Sequence, residues 1–282
     1  MPLLLLCILL FLGSAILTGL FRWIALRIQL IAVPVSRSAH SRPVPVAGGV
    51  SIVTLILLVV TYSYFTDRIP ANEFAALMAG LVIAFIGIVD DIKQLDVRWR
   101  IPAQFLVSIY VVYCLGDVPA IDFGLFSLPE SIVLNVMAVF ALVWLLNLYN
   151  FMDGIDGIAA TQLIAVNLVS LVIVINSDAV LTLLSASFAA AAGGFLLWNW
   201  APAKIFMGDV GSNFIGFTLG VMALLSLFHG SMTIWTWLLL LGVFIVDATR
   251  TLFVRVTSGQ RWHEGHASHA YQNAARRYKS HA

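Results

Sequence analysis

Nine apolar stretches, at 2–22, 48–66, 73–90, 101–117, 131–149, 157–176, 179–199, 212–229 and 233–254, fill most of the chain and leave room for little else. Each is near the ~20 residues that an α-helix needs to cross the hydrocarbon of a bilayer. Of the 282 residues, 61% are hydrophobic and 10% are charged, whereas an ordinary soluble domain is about 25% charged. So small a polar fraction cannot cover an apolar core in water. The chain is expected to be all-α, a polytopic membrane bundle of about nine transmembrane helices, with a single domain over 1–282 and no soluble second one. The opening run lacks the basic start of a cleaved signal peptide and reads as a retained first span. Cys7 and Cys114 lie inside apolar runs and read as packing residues, not as a disulfide.

Charge sets the orientation. Of the fifteen Lys and Arg, Arg68 alone falls in a loop on one side, and the other fourteen lie in or beside the opposite loops. Such residues collect on the cytoplasmic side. The N-terminus is therefore expected outside, in the periplasm, and the C-terminus in the cytoplasm. The cytoplasmic segments are then 23–47, 91–100, 150–156, 200–211 and 255–282. Nearly every unusual residue gathers there, and ionisable groups at membrane depth are costly enough to suggest function.

Four clusters stand out. Asp90-Asp91, at the inner end of the third stretch, is a pair of like charges that suits a metal site or a general base, or else a solvated helix end. Asn147, Asn150, Asp153 and Asp156 recur every third residue, so on a helix they drift only slowly around one face and are expected to enter one cleft. A polar capping loop accounts for the acids and for Gly154 and Gly157, but not for amides within an apolar run. From Trp198 to Asn213 come Asn199, Lys204, Gly208, Asp209, Gly211 and Ser212. This is either a helix N-cap or a phosphate or metal site at a helix start. In the tail, His263, His266 and His269 fit a zinc pattern, a phosphate-binding set or a basic surface segment. Five carboxylates without thiols on this side favour a hard cation held by oxygens, most simply Mg²⁺, with Mn²⁺ as a substitute. Together the loops suggest phosphoryl transfer.

These segments resemble the polyprenyl-phosphate N-acetylhexosamine-1-phosphate transferases. The resemblance is carried by Ser36 to Pro45 with Gly48-Gly49, by Asp90-Asp91, by Asn147 to Gly157, by Phe206 to Ser212 and by Ser268 to Gln272. It implies a bacterial inner-membrane enzyme that moves a sugar phosphate from a UDP-N-acetyl sugar to undecaprenyl phosphate, releasing UMP. The separated His266 and His269 look more like the branch that starts O-antigen and related surface polysaccharides than the peptidoglycan branch. By position, Asp209 would be the principal Mg²⁺ ligand, with Asp153 beside it. Asp90 would deprotonate or orient the lipid phosphate, with Asp91 as its partner and Asp153 and Asp156 in the catalytic cleft. Asn147 and Asn150 would line that cleft, His266 and His269 would bind the diphosphate, and His40, Asn199, Lys204 and Gly208 complete the substrate-binding set. The family often carries a basic residue where this chain has Val46, and its members generally continue through further spans after the histidine loop. The expected partners are the bilayer, the lipid phosphate, the nucleotide sugar and possible homodimer contacts, with no nucleic acid. An ion-coupled transporter would carry its acids at mid-span, where only Asp247 lies. A non-catalytic assembly partner is the third reading.

Overall fold

The computed structural model describes residues 2–34, 42–124, 126–259 and 269–278. Twelve helices are present among them: α1 Leu3–Arg27, α2 Val50–Phe65, α3 Ala71–Met78, α4 Gly80–Lys93, α5 Val97–Leu115, α6 Ile132–Met152, α7 Ile158–Val174, α8 Ala179–Asn199, α9 Asp209–Phe228, α10 Ile234–Leu240, α11 Gly242–Thr257 and α12 Ala270–Tyr278. All nine apolar stretches are helical. Two antiparallel ladders of two residues each, β1 Ile31–Ala32 with β2 Val44–Pro45 and β3 Ile121–Asp122 with β4 Ser127–Leu128, sit in the loops. They are the only departure from an all-α chain among the described residues.

The nine helical stretches differ in how well their length and composition suit a crossing. Five helical stretches are long and apolar enough to cross a membrane: α1, α3 with α4 as one run over Ala71–Lys93, α6, α8 and α9. Helices α10 and α11 make a sixth if taken as one span, although they meet at a bend of 76°. Helices α2 and α7 are apolar but have 16 and 17 residues, about 24–26 Å at 1.5 Å per residue, short of the ~30 Å of hydrocarbon. Helix α5 has 19 residues, but its first turn carries Arg98 and Arg100. Apolar pattern counts helices well, whereas spanning also depends on where each helix begins. The protein is multi-pass in the membrane.

Helix α9 is the axis of the bundle. Every residue from Val210 to Ser226 is buried, and α4 and α6 pack along it while α1 and α7 pack on α8. Close approach depends on missing side chains. A Cβ on Gly87 of α4 would lie 2.6 Å from the Asp209 carbonyl oxygen and from Val210 Cα. Gly49, at the start of α2, sits on Gly211 in the same way, with the Gly211 nitrogen 2.9 Å from where its Cβ would be. The ends of α4 and α6 and the start of α9 thus meet at one face of the bundle. The ~30 Å length of α9 separates this face from its C-terminal end, where the His229 ring lies between two carboxylates. Its Nε2 is 2.8 Å from Glu73 Oε1, and its Nδ1 is 2.8 Å from Asp178 Oδ2.

Candidate active site

The site begins with α9. Its first residue is Asp209, and Gly208 before it adopts φ +78°, in the left-handed region that favours glycine. A Cβ on Gly208 would also lie 2.7 Å from Asp91 Oδ2. The Asp91 carboxylate fills that space and accepts the first two backbone N–H groups of α9, from Asp209 at 2.8 Å and Val210 at 3.2 Å. These are among the N–H groups that a helix start leaves unpaired, and a negative charge is favoured there. Asp91 therefore joins the end of α4 to the start of α9.

Asp90, the neighbour, faces elsewhere. It is buried, accepts the Leu95 N–H at 2.7 Å and forms an ion pair with Arg100. The same guanidinium nitrogen is 3.6 Å from Asp209 Oδ2. Arg100 thus stands between two acids, a placement that reading the sequence missed. It counted only as a cytoplasmic charge, because Asp90 and Arg100 are ten residues apart and meet only after the chain reverses between α4 and α5.

The row of four every third residue does not enter one cleft. Helix α6 stays α-helical to Met152, so a step of three turns the side chain about 60°. Asn147 is buried against α5, donating to Gln104 Oε1 and to the Val143 carbonyl, both at 2.8 Å. Asn150 instead reaches α9, donating to Asp209 Oδ1 at 2.7 Å and Ser212 Oγ at 2.9 Å. Asp153 caps the end of α6, and Asp156 accepts the Ala203 N–H at 2.9 Å from the next loop. Asn199 also orders loops: its Oδ1 accepts the Gly157 N–H and its Nδ2 donates to the Ile205 carbonyl. Lys204 is exposed, its ammonium 5.7 Å from the Trp198 ring. His269 is buried with Nδ1 3.4 Å from Asp247 Oδ1. Burial lowers its pKa below that of an ordinary imidazole, against the raising pull of Asp247. His40 and His266 lie outside the described residues.

Asp153 reveals the field of the site. Burial, and then the charges of Asp209, Asp91 and Asp156, raise its pKa well above the usual carboxylate range. Four carboxylates therefore converge with one nearby guanidinium. A hard divalent cation fits this donor chemistry, because it relieves the repulsion and prefers carboxylate oxygen. Among the described residues, no group of three or more His, Cys, Asp or Glu side chains is placed to hold a metal ion. Mg²⁺ does not require such a group, since it usually takes one or two carboxylates and completes its shell with water and phosphate oxygens.

Comparison with known proteins agrees with this geometry. The model of glycosyl transferase family 4 matches residues 73–227, a range that contains all the clustered acids and Arg100. A Bacillus subtilis (strain 168) protein named probable undecaprenyl-phosphate N-acetylglucosaminyl 1-phosphate transferase is 31% identical over 258 residues, covering 87% of this chain and 69% of that protein. A Wolbachia (strain wRi) phospho-N-acetylmuramoyl-pentapeptide-transferase is 32% identical over 209 residues, covering 68% of this chain and 63% of the relative. A Mycobacterium tuberculosis (strain CDC 1551 / Oshkosh) decaprenyl-phosphate N-acetylglucosaminephosphotransferase is 33% identical over 227 residues, covering 72% and 55%. The chain thus spans between about half and two thirds of the length of these relatives. It belongs to glycosyl transferase family 4, among the polyprenyl-phosphate N-acetylhexosamine-1-phosphate transferases.

Proposed function

We propose that the protein transfers an N-acetylhexosamine-1-phosphate from a UDP-sugar to undecaprenyl phosphate at the cytoplasmic face of a bacterial inner membrane. An oxygen of the lipid phosphate bonds to the β-phosphorus of the UDP-sugar. The bond from that phosphorus to the bridging oxygen breaks, and UMP leaves with the electron pair. The products are an undecaprenyl-diphosphate sugar and UMP, the first step towards a lipid-linked surface polysaccharide such as O-antigen.

The observation that carries this reading is the meeting of Asp91, Asn150 and Arg100 at Asp209, where α4, α5, α6 and α9 come together. When bound, Mg²⁺ (or Mn²⁺) supplies neutralisation of phosphate charge, with Asp209 and Asp153 as the residues that hold it. Asn150 holds the Asp209 carboxylate in orientation. Asp90, ion-paired with Arg100, orients the acceptor phosphate, for which a paired carboxylate is better suited than for taking a proton. Asp91 fixes the start of α9, and Asp156 with Asn199 fixes the loops around it. His266, His269, His40, Lys204 and Gly208 serve the donor phosphates. The printed name of the Bacillus subtilis relative supports N-acetylglucosamine as the first sugar to try.

The test uses purified protein, undecaprenyl phosphate, Mg²⁺ and a panel of radiolabelled UDP-sugars. Labelled lipid with release of UMP is expected from at least one N-acetyl sugar. If no sugar is transferred, the proposal fails. In intact cells, a cysteine at the exposed residue 204 should resist a membrane-impermeant thiol reagent while one at 122 reacts. Reaction at 204 would reverse the proposed orientation.

A further inference from the structure

Helix α12 is capped at its start by a side chain from another helix. Its N-cap is His269, whose carbonyl accepts the Asn273 N–H at 3.1 Å. Gln272 reaches back to accept the His269 N–H at 3.2 Å. This is half of the reciprocal arrangement in which the third helical residue serves the N-cap amide. The other half requires an oxygen on the N-cap side chain for the N–H groups of the first turn, and imidazole has none. Asp247 of α11, 23 residues before Ala270, provides one. Its Oδ1 accepts the Ala270 N–H at 2.9 Å, and its Oδ2 accepts the Tyr271 N–H at 3.1 Å. Thr251 donates to the same carboxylate at 3.2 Å. An acid within an apolar helix is costly, and three donors converge on this one.

The cap secures two side chains. His269 is buried and stacks on Tyr271, with ring centroids 5.6 Å apart. The Tyr271 hydroxyl donates to the Phe151 carbonyl at 3.0 Å, one of the terminal carbonyls that α6 leaves unpaired. Gly154 leaves room for this contact, since a Cβ there would meet the Tyr271 hydroxyl and lie 3.1 Å from Gln272 Nε2. A continuous chain of contacts therefore runs from Asp247 through the first turn of α12 to the residues that flank Asp153. With nine residues, α12 is shorter than the ~12–15 that form a stable helix alone in water. Its order depends on these anchors.

We propose that Asp247 is a positioning residue for sugar-phosphate transfer: by capping α12 from another helix, it holds His269 and Tyr271 against the end of α6 beside Asp153. The functional half rests on the transferase reading above, but the cap has a readout of its own.

The experiment uses the full chain in lipid nanodiscs as wild type, Asp247→Ala, Asp247→Asn, Tyr271→Phe and the Asp247→Ala/Tyr271→Phe double variant. Amide exchange over 269–278 is followed together with turnover of UDP-N-acetylglucosamine and undecaprenyl phosphate. Asp247→Ala should speed exchange in the first turn of α12 about tenfold, the scale of one lost helix cap. It should lower kcat by a similar factor while KM for the nucleotide sugar stays within about threefold. Asparagine keeps one acceptor oxygen, enough for the Ala270 N–H but not for that of Tyr271 as well, so Asp247→Asn should fall between wild type and Asp247→Ala in both readouts. The double variant should be little worse than Asp247→Ala, because both residues act through one element. Unchanged exchange in Asp247→Ala, equal losses in the Ala and Asn variants, or additive losses in the double variant would overturn the proposal. A wild-type chain that protects α12 but transfers no sugar phosphate would overturn the transferase reading and leave the cap standing.

Discussion

Asp91 Oδ1 accepts the backbone N–H of Asp209 at 2.8 Å, so the two acids nearest the start of α9 do different work. Asp91 caps the helix, while the carboxylate of Asp209 is held by the Asn150 side chain. Asp91→Ala should destabilise the fold by ~1–2 kcal/mol, the cost of a lost cap and its charge at a helix start. Asp209→Asn should melt near wild type but turn over at least ~10²-fold more slowly, as for the loss of one electrostatic contact to a transition state. Melting curves and the labelled-lipid assay separate the two, and the reverse pattern would refute this division of roles.

Arg100 forms an ion pair with the buried Asp90. Arg100→Met should cost ~3 kcal/mol, the low end for breaking a buried pair, because the guanidinium keeps some contact with water. Removing the orphaned charge with Asp90→Asn/Arg100→Met should recover much of that stability but not turnover. Chemical denaturation in detergent gives the stability difference. A double variant no more stable than Arg100→Met would show that the pair is not the source of the loss.

At the opposite face, His229 between Glu73 and Asp178 makes stability depend on pH. Burial pushes the His229 pKa down, but the hydrogen bonds to Glu73 and Asp178 outweigh it and leave the pKa raised above 6.5. The folded state therefore gains from this group in full below about pH 6.5, and the gain disappears as pH climbs through the raised folded value. For Asp178, burial pushes up, while the Leu181 N–H, His229 and Ser231 pull harder and hold it below 3.8. That contribution is complete above about pH 3.8 and fades as acid passes the lowered folded value. Melting temperature should fall as pH rises above about 6.5, and His229→Gln should flatten this slope. An equal slope in the variant would place the titrating group elsewhere.

The glycine contacts allow a test one methyl group in size. Gly87→Ala would drive a Cβ into the backbone at Asp209 and Val210, so the start of α9 must move. Turnover should fall at least tenfold, on the principle that small displacements at a reacting centre cost about 10²-fold. Gly242→Ala, with nothing within 4 Å of its Cβ, should change stability by less than ~0.5 kcal/mol. Comparable effects at the two glycines would argue against the tight seam between α4 and α9.

How much of this could be read beforehand follows from what apolar pattern and short-range spacing encode. All nine apolar stretches are helices because hydropathy is a local property. Acids at helix ends stood out because charge is rare in this chain. The Arg100–Asp90 pair, the Asn147–Gln104 bond and the Asp247 cap join residues 10, 43 and 23 positions apart, and only the packed helices bring them together. The row from Asn147 to Asp156 was misjudged because spacing alone shows neither where α6 stops nor how far its face has turned.

Burial of α9 also bears on how such a chain enters the membrane. It is the least apolar of the five spanning stretches and the most completely buried. For this helix the solvent is protein. Asp209 and Ser212 would be penalised in lipid, yet Asn150, which donates to both, lies on a helix made earlier in synthesis. Helix α9 is therefore a late arrival in a slot that α2, α4, α6 and α8 have already shaped, and its insertion is as much a docking event as a partitioning one.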